Sequence, residues 1–266
     1  MDSLIARALA DHQVTTSSIW LRRVLLLLNL TPPFLIWHTG GTQLCAWLYA
    51  IVVHHVLLIG LFHPPSKLLG PILTRLPTRE KIVWLTIDDG PSADTAELAE
   101  MLGEKGISAT FFFQGNKLRS RPEALSALRK HGHTVGNHTQ NHDLAWFWLY
   151  PPKKVAREVA DFQAAARQLD LPLLPAFRCP AGLKNPFLHT VLHRHQLTLT
   201  GWTLRAFDGV RCDPQKSLPR LLSSLEPGAI ILVHEGKNDL SGAPASVAFI
   251  SDLVTGIQAA GYTFAR

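Results

Sequence analysis

The sequence predicts an α/β fold, a parallel sheet curled into a distorted barrel, preceded by an N-terminal hydrophobic membrane segment. Three observations lead there. From Lys81 to Arg266, short apolar runs alternate with helix-patterned stretches, the signature of βαβ crossovers. That stretch is somewhat short for eight full strand–helix units, so an incomplete or distorted barrel is expected. Finally, from Val24 to Phe62 there is not one Asp, Glu, Lys or Arg, in a chain with 26 basic and 20 acidic side chains.

Within the uncharged stretch, Cys45–Phe62 (CAWLYAIVVHHVLLIGLF) is long enough to cross a bilayer as a helix, with the span expected at 43–62. An upstream run, Val24–Trp37, is shorter and interrupted by Pro32 and Pro33. A buried core helix is the competing reading, and the lack of any charge argues against it. A cleaved signal peptide fits less well, because the apolar region is too long and lacks a small-x-small cleavage site. Residues 1–62 are therefore expected to form a membrane anchor of one or two spans. Residues 63–80, rich in Pro and basic side chains, read as a juxtamembrane linker, and 81–266 as the main domain. Arg22 and Arg23 precede the first run, and Lys67, Arg75, Arg79 and Lys81 follow the second, whereas 38–44 has no Lys or Arg. Cytoplasmic loops collect such residues, which favours an inner-membrane hairpin with both ends cytoplasmic over a single span with the main domain outside.

The main domain opens with Ile82–Ile87, an apolar strand ending abruptly at Asp88-Asp89-Gly90-Pro91. Asp94–Lys105 places Leu98, Met101 and Leu102 on one helical face and stops at Gly106. Thr110–Phe113 is a second strand, Pro122–His131 a helix, Thr134–Val135 the start of a third strand, and Lys153–Leu169 a helix. Strand-like runs recur at Leu197–Trp202 and Ala229–Val233, and Ala248–Gly261 makes a last helix before Tyr262–Ala265. A composition of 47% apolar and 17% charged residues excludes intrinsic disorder, and three cysteines cannot form a disulfide framework. The net charge of +6 raises nucleic acid as a partner, but no dense Lys/Arg patch or interleaved aromatics accompany it, so none is expected.

Four clusters fall at the ends of these strands, where chemistry gathers in such folds. Asp88 and Asp89 are adjacent carboxylates that repel unless a cation or proton holds them; a solvated turn with one Asp capping the next helix is the plainer reading. His138 and His142, four residues apart on an expected helical turn, can reach one metal ion, or they are two surface histidines. With a strand-end carboxylate they make a His-His-Asp triad with an open position for water. Arg178-Cys179-Pro180-Ala181-Gly182 pairs an arginine able to grip a carboxylate with a rigid turn offering backbone N–H groups. Cys179 has no adjacent base and is not taken as a nucleophile. His234, closing the apolar strand Ile230–Val233, is a general acid if it faces a metal, and otherwise a hydrogen-bonded core histidine.

Together these clusters resemble the polysaccharide deacetylases of carbohydrate esterase family four, which includes chitin, peptidoglycan and rhizobial chitooligosaccharide deacetylases. Thr86-Ile87-Asp88-Asp89-Gly90-Pro91 matches the family's Thr-Phe-Asp-Asp-Gly-Pro, His138-Thr139-Gln140-Asn141-His142 its His-Ser/Thr-x-x-His, Arg178-Cys179-Pro180 its Arg-x-Pro, and Leu232-Val233-His234 its Leu-x-His. The resemblance covers 85–266. It implies that Asp88 is the general base, that Asp89, His138 and His142 hold a metal, usually zinc with cobalt or manganese as substitutes, and that His234 protonates the leaving amine. It also implies that Leu232 lines the pocket for the acetyl methyl group, that Arg178 orients Asp88, that Asp208 pairs with Arg178, and that the Ala181 backbone helps hold the oxyanion.

Two departures stand out. Ala181 replaces a frequent aromatic. The family's Trp-x-x-Asp-x-x-Asp-Trp reads Trp202-Thr203-Leu204-Arg205-Ala206-Phe207-Asp208-Gly209, with Trp202 kept for substrate binding. The expected activity is metal-dependent removal of an N-acetyl group from an amino-sugar glycan or lipid-linked saccharide at the membrane bilayer. Its rivals are a deformylase or O-deacetylase of a lipid-linked sugar, and an inactive membrane-tethered carbohydrate-binding module.

Overall fold

Strand β1 (Ile82–Gly90) is apolar along most of its length and buried on both faces, the pattern of a central parallel strand. It pairs in parallel with β2 (Thr110–Phe113) on one side and β7 (Ile230–His234) on the other. Beyond β2 lie β3 (Thr134–Asn137), β4 (Leu173–Phe177) and β5 (Thr198–Leu199), and beyond β7 lies β6 (Leu204–Arg205), giving the order β5-β4-β3-β2-β1-β7-β6. A short β8 (Thr263–Phe264) pairs with the foot of β1. The computed structural model describes residues 3–15, 38 and 43–266, and the run Val24–Trp37 lies outside them. Among the described residues the α-helices are α1 (Leu4–Asp11), α2 (Gln43–Phe62), α3 (Thr95–Glu104), α4 (Pro122–His131), α5 (Pro152–Gln168), α6 (Leu188–Arg194), α7 (Pro214–Ser223) and α8 (Ser246–Ala259). The architecture is the distorted parallel barrel that the sequence predicts.

Alternation along each strand builds two layers. Val83, Leu85 and Ile87 of β1 face outward and pack with Leu98 and Leu102 of α3, Leu128 of α4 and Leu253 of α8. Trp84 belongs to a separate inner cluster with Phe112, Ala176 and Ile230, and its indole N–H donates to Thr110 Oγ1 at 2.9 Å.

The sheet does not close on itself; residues 73–75 span its two free edges. Leu73 bridges to Thr200 and Arg75 to Ala229, and Leu76 N donates to Gly228 O at 2.8 Å. Part of the expected 63–80 linker is therefore barrel wall, because Ile72, Leu73 and Leu76 are apolar side chains with a core to enter. The same correction applies to the start of the expected anchor. Ser3 caps α1 by accepting from Ala6 N, and Ile5, Ala8 and Leu9, spaced to share one helical face, fill the barrel's lower opening against Trp84, Phe112, Ile230 and Ala265. Thr198 Oγ1 donates to Leu9 O at 2.7 Å and His193 Nδ1 to Val14 O at 2.6 Å, fixing this segment to the barrel.

Elsewhere the differences trace to proline. β4 contains Pro175, which has no N–H for the ladder and falls where the register slips between Val135 and Asn137. α7 starts at Pro214, is capped by Asp213, and tolerates Pro219 in its interior. The run Leu197–Trp202 contracts to the two-residue β5.

Leu9 is fully buried. Leu9→Ala should destabilise the main domain by about 2–5 kcal/mol, read as a lower Tm for the detergent-solubilised chain. An unchanged Tm would show that α1 contributes nothing to the barrel.

Candidate metal centre and its acid–base groups

The upper rim of the barrel collects the chemistry because β1, β3, β4 and β7 all end there. Asp88 and His234 are partners in the β1–β7 register, so the fold sets them side by side. Beyond Asp88 the β1–β2 register shifts, and Asp89 adopts a left-handed φ of 78°, which separates the directions of two consecutive carboxylates.

Asp88 is buried, and its Oδ1 accepts from Arg178 Nη1 at 2.7 Å. Asp89 Oδ1 lies 3.1 Å from His142 Nε2 and 3.8 Å from His138 Nε2. Its other oxygen accepts from Lys237 Nζ at 2.7 Å, and its backbone carbonyl accepts from Lys117 Nζ at 3.0 Å. Although burial alone would raise the Asp89 carboxyl, its place among His138, His234, His142 and Lys237 holds it well below the usual carboxylate range.

The two histidines do not share a helical turn as expected. Thr139 and His142 have φ values of 69° and 53°, so the segment is an irregular loop. Asn137 Oδ1 accepts from Thr139 N, Thr139 Oγ1 accepts from His142 N, and Glu158 accepts from both Asn141 nitrogens. This bracing brings the rings to 4.5 Å between centroids with their Nε2 atoms 3.0 Å apart. His138 Nδ1 donates to Arg178 O at 2.8 Å, which leaves the lone pair on Nε2. Burial, reinforced by His138, pushes His142 down to about 3, so its ring is neutral. Two imidazole nitrogens and one carboxylate oxygen lie within 4.8 Å of one another. That donor set fits a divalent ion.

His234 Nδ1 lies 2.7 Å from Asp208 Oδ1, and Asp208 Oδ2 accepts from His234 N at 2.9 Å. Burial works against a charged ring, yet the hydrogen bond and charge of Asp208, joined by Asp88 and Asp89, hold His234 above the ordinary histidine value. Here the expected pairing of Asp208 with Arg178 is corrected. Arg178 spends its guanidinium on Asp88, Thr86 Oγ1, Thr200 O and Gly201 O, while β6 running beside β7 delivers Asp208 to His234.

A cavity of about 490 Å³ opens over these groups, lined also by Ala181, Leu232 and Trp202. Ala181 has a left-handed φ of 51°, and a Cβ on its neighbour Gly182 would meet Trp202 at 2.5 Å, so that turn requires glycine. Cys179 is buried and its thiol is pushed up to about 12 by burial, which removes it as a nucleophile. Sequence reasoning missed Lys117, Lys237 and Glu235. Glu235 is fully buried, pushed up to about 7 by that burial, and bonded to Ser92 and Thr95; its position directly after His234 was the available signal.

Comparison with known proteins finds relatives for this chain. The polysaccharide deacetylase family model matches residues 75–200. A peptidoglycan-N-acetylglucosamine deacetylase from Bacillus cereus is 28% identical over 73% of this chain and 90% of its own length. A chitooligosaccharide deacetylase from Sinorhizobium fredii is 30% identical over 68% of this chain and 87% of its own. Among solved structures, a family 4 carbohydrate esterase from Streptomyces lividans in complex with acetate has a TM-score of 0.59 at 25% identity, covering 70% of this chain and 93% of that one.

Purified chain dialysed against trace metals should hold one divalent ion by atomic emission. Asp89→Ala, or His138→Ala with His142→Ala, should lose it and Asp88→Ala should keep it; the reverse pattern for the aspartates would mean that their roles are exchanged.

Proposed function

The chain belongs to the polysaccharide deacetylase family, and from that premise we propose that it is a metal-dependent hydrolase that removes an N-acetyl group from an amino sugar. The observation that carries the reading is the placement of Asp88, the Asp89–His138–His142 cluster and His234 around one cavity. Asp89, His138 and His142 would hold the ion, which would supply water activation and polarisation of the acyl carbonyl.

The chain's own groups do the rest. Asp88 takes the proton from the attacking water. Arg178 keeps that carboxylate aimed, since its Nη1 is fixed between Asp88 and Thr86. The backbone at Ala181 steadies the oxyanion as the amide carbon becomes tetrahedral, and Leu232 packs against the acyl methyl group. His234 then donates its proton to the amide nitrogen, so that the C–N bond breaks with an amine leaving and acetate retained. Asp208 is a positioning residue that keeps His234 protonated. Trp202 forms a wall for the sugar ring. An inactive carbohydrate-binding module accounts poorly for base, ligands and acid kept together on one cavity.

The test is turnover of matched N-acetylated and N-formylated chito-oligosaccharides; acetate released from the first supports this reading, and formate released from the second with no acetate from the first moves it to deformylation. A chelator should abolish activity and zinc or cobalt restore it. Asp88→Asn should lower kcat by roughly 10²–10⁴-fold. Asp208→Asn should cost less and act on the pH profile. His234 works only while protonated, so activity falls as pH rises through its raised pKa. Removing the Asp208 carboxylate lowers that pKa, and the alkaline limb should move to lower pH. An unmoved limb would exclude His234 as the acid.

A further inference from the structure

The described residues on either side of the apolar stretch are both attached to the barrel. Upstream, α1 fills the barrel's lower opening, with Leu9 O and Val14 O bonded to Thr198 and His193. Downstream, the end of α2 docks at the upper rim. Lys184 N donates to Leu61 O at 3.0 Å, Lys184 Nζ to His63 O at 2.7 Å, and Phe62 packs on Trp148 at 4.8 Å. Between these attachments α2 is a 20-residue apolar helix of which only 17% is buried, so it is not a core helix of this domain. A single crossing would leave α1 and the barrel on opposite faces of the membrane, which their packing forbids. Cleavage after α2 would remove α1 from the barrel. The charge pattern, with Arg22 and Arg23 before the stretch, Lys67 after it and none between Val24 and Phe62, assigns the shared side to the cytoplasm.

A second, independent pattern concerns the rim. Among the described residues, every large apolar side chain left exposed outside α2 and the adjacent Leu68 lies on a loop following the C-terminal end of a strand. These are Leu144, Trp146 and Leu149 after β3, Phe187 after β4, Phe207 and Val210 after β6, and Leu240 after β7. Leu144 and Val210 also line the catalytic cavity. Apolar surface this concentrated marks an interaction face, and its continuity with the end of α2 identifies the occupant as lipid.

We infer that the apolar stretch enters and leaves the bilayer on the cytoplasmic side, and that the cavity mouth opens onto that lipid surface, from which it takes an acylated amino sugar carried on a lipid anchor. The substrate clause rests on the deacetylase reading; the orientation does not. A sugar on a lipid anchor is concentrated at the mouth by the membrane that holds the enzyme. A soluble oligosaccharide has no such advantage.

The experiment uses the full chain. Green fluorescent protein fused after Arg266 should fluoresce, alkaline phosphatase there should be inactive, and phosphatase inserted between Gly40 and Gly41 should be active. Phosphatase activity after Arg266, or termini reporting opposite sides, overturns the topology. In nanodiscs of brominated lipid, a fluorophore at Leu240→Cys in a Cys45→Ser background should be quenched, and one at Gln258→Cys, at the barrel's lower end, should not. Equal quenching overturns the orientation. Neither readout needs turnover, so both stand or fall apart from the catalytic assignment. In the same nanodiscs, kcat/KM for an N-acetylglucosaminyl lipid should exceed that for soluble acetylated chito-oligosaccharide by at least about tenfold. Trp146→Ser with Leu149→Ser should narrow that ratio and leave soluble turnover unchanged. Equal values with active enzyme overturn the substrate clause alone.

Discussion

One buried cation organises the rim. The Arg178 guanidinium has no exposed surface, and an uncompensated charge in such a place costs several kcal/mol. Its compensation is drawn from separate parts of the barrel: Thr86 and Asp88 of β1, the carbonyls of Thr200 and Gly201 beyond β5, and the face of Phe112 in β2 at 4.1 Å. Its own carbonyl accepts from His138 Nδ1 and so sets which nitrogen of that ring faces the ligand cluster. One residue thereby fixes the carboxylate proposed as base and the tautomer of a proposed ligand. Lysine, a single flexible point charge, cannot reproduce this fork. The strand ends are in register because this charge would otherwise be orphaned.

The fold class and most of the rim could be read from sequence because the signals there are local. An apolar strand broken by paired carboxylates, a spaced histidine pair and an apolar strand ending in histidine each carry their meaning within a few residues. What could not be read depends on contacts distant in sequence. α1 has the spacing of an amphipathic helix in Ile5, Ala8 and Leu9, but its partners lie as far away as Ala265, and the apolar stretch that follows drew it into the anchor. The histidine pair was rightly brought together for the wrong local reason, since an irregular loop braced by Asn137 and Glu158 does what a helical turn was expected to do. Whether Asp208 meets Arg178 or His234 is decided by β6 lying against β7, and a two-residue strand leaves no periodicity to detect.

The departures at the cavity mouth have a steric meaning. A Cβ on Gly209 would lie 3.3 Å from His234 Cε1, so glycine leaves the far edge of the imidazole uncrowded. Arg205 stacks over Phe207 at 4.1 Å and reaches toward Trp202 at 5.8 Å, placing a cation among aromatic faces where the family pattern has an acid. With alanine at 181, the mouth is wider and more basic than the motif pattern leads one to expect, with Lys117 and Lys237 along the same cavity.

The plug formed by α1 also constrains the order of assembly. Its binding surface is made from Trp84, Phe112, Ala176, Ile230 and finally Ala265, so α1 leaves the ribosome long before its site is complete. Contacts at such separation are among the slowest to form. By then the apolar helix α2 is already made, and α1 waits as a tethered, half-apolar segment beside the membrane. The barrel is therefore plugged by a helix made long before the strands that receive it.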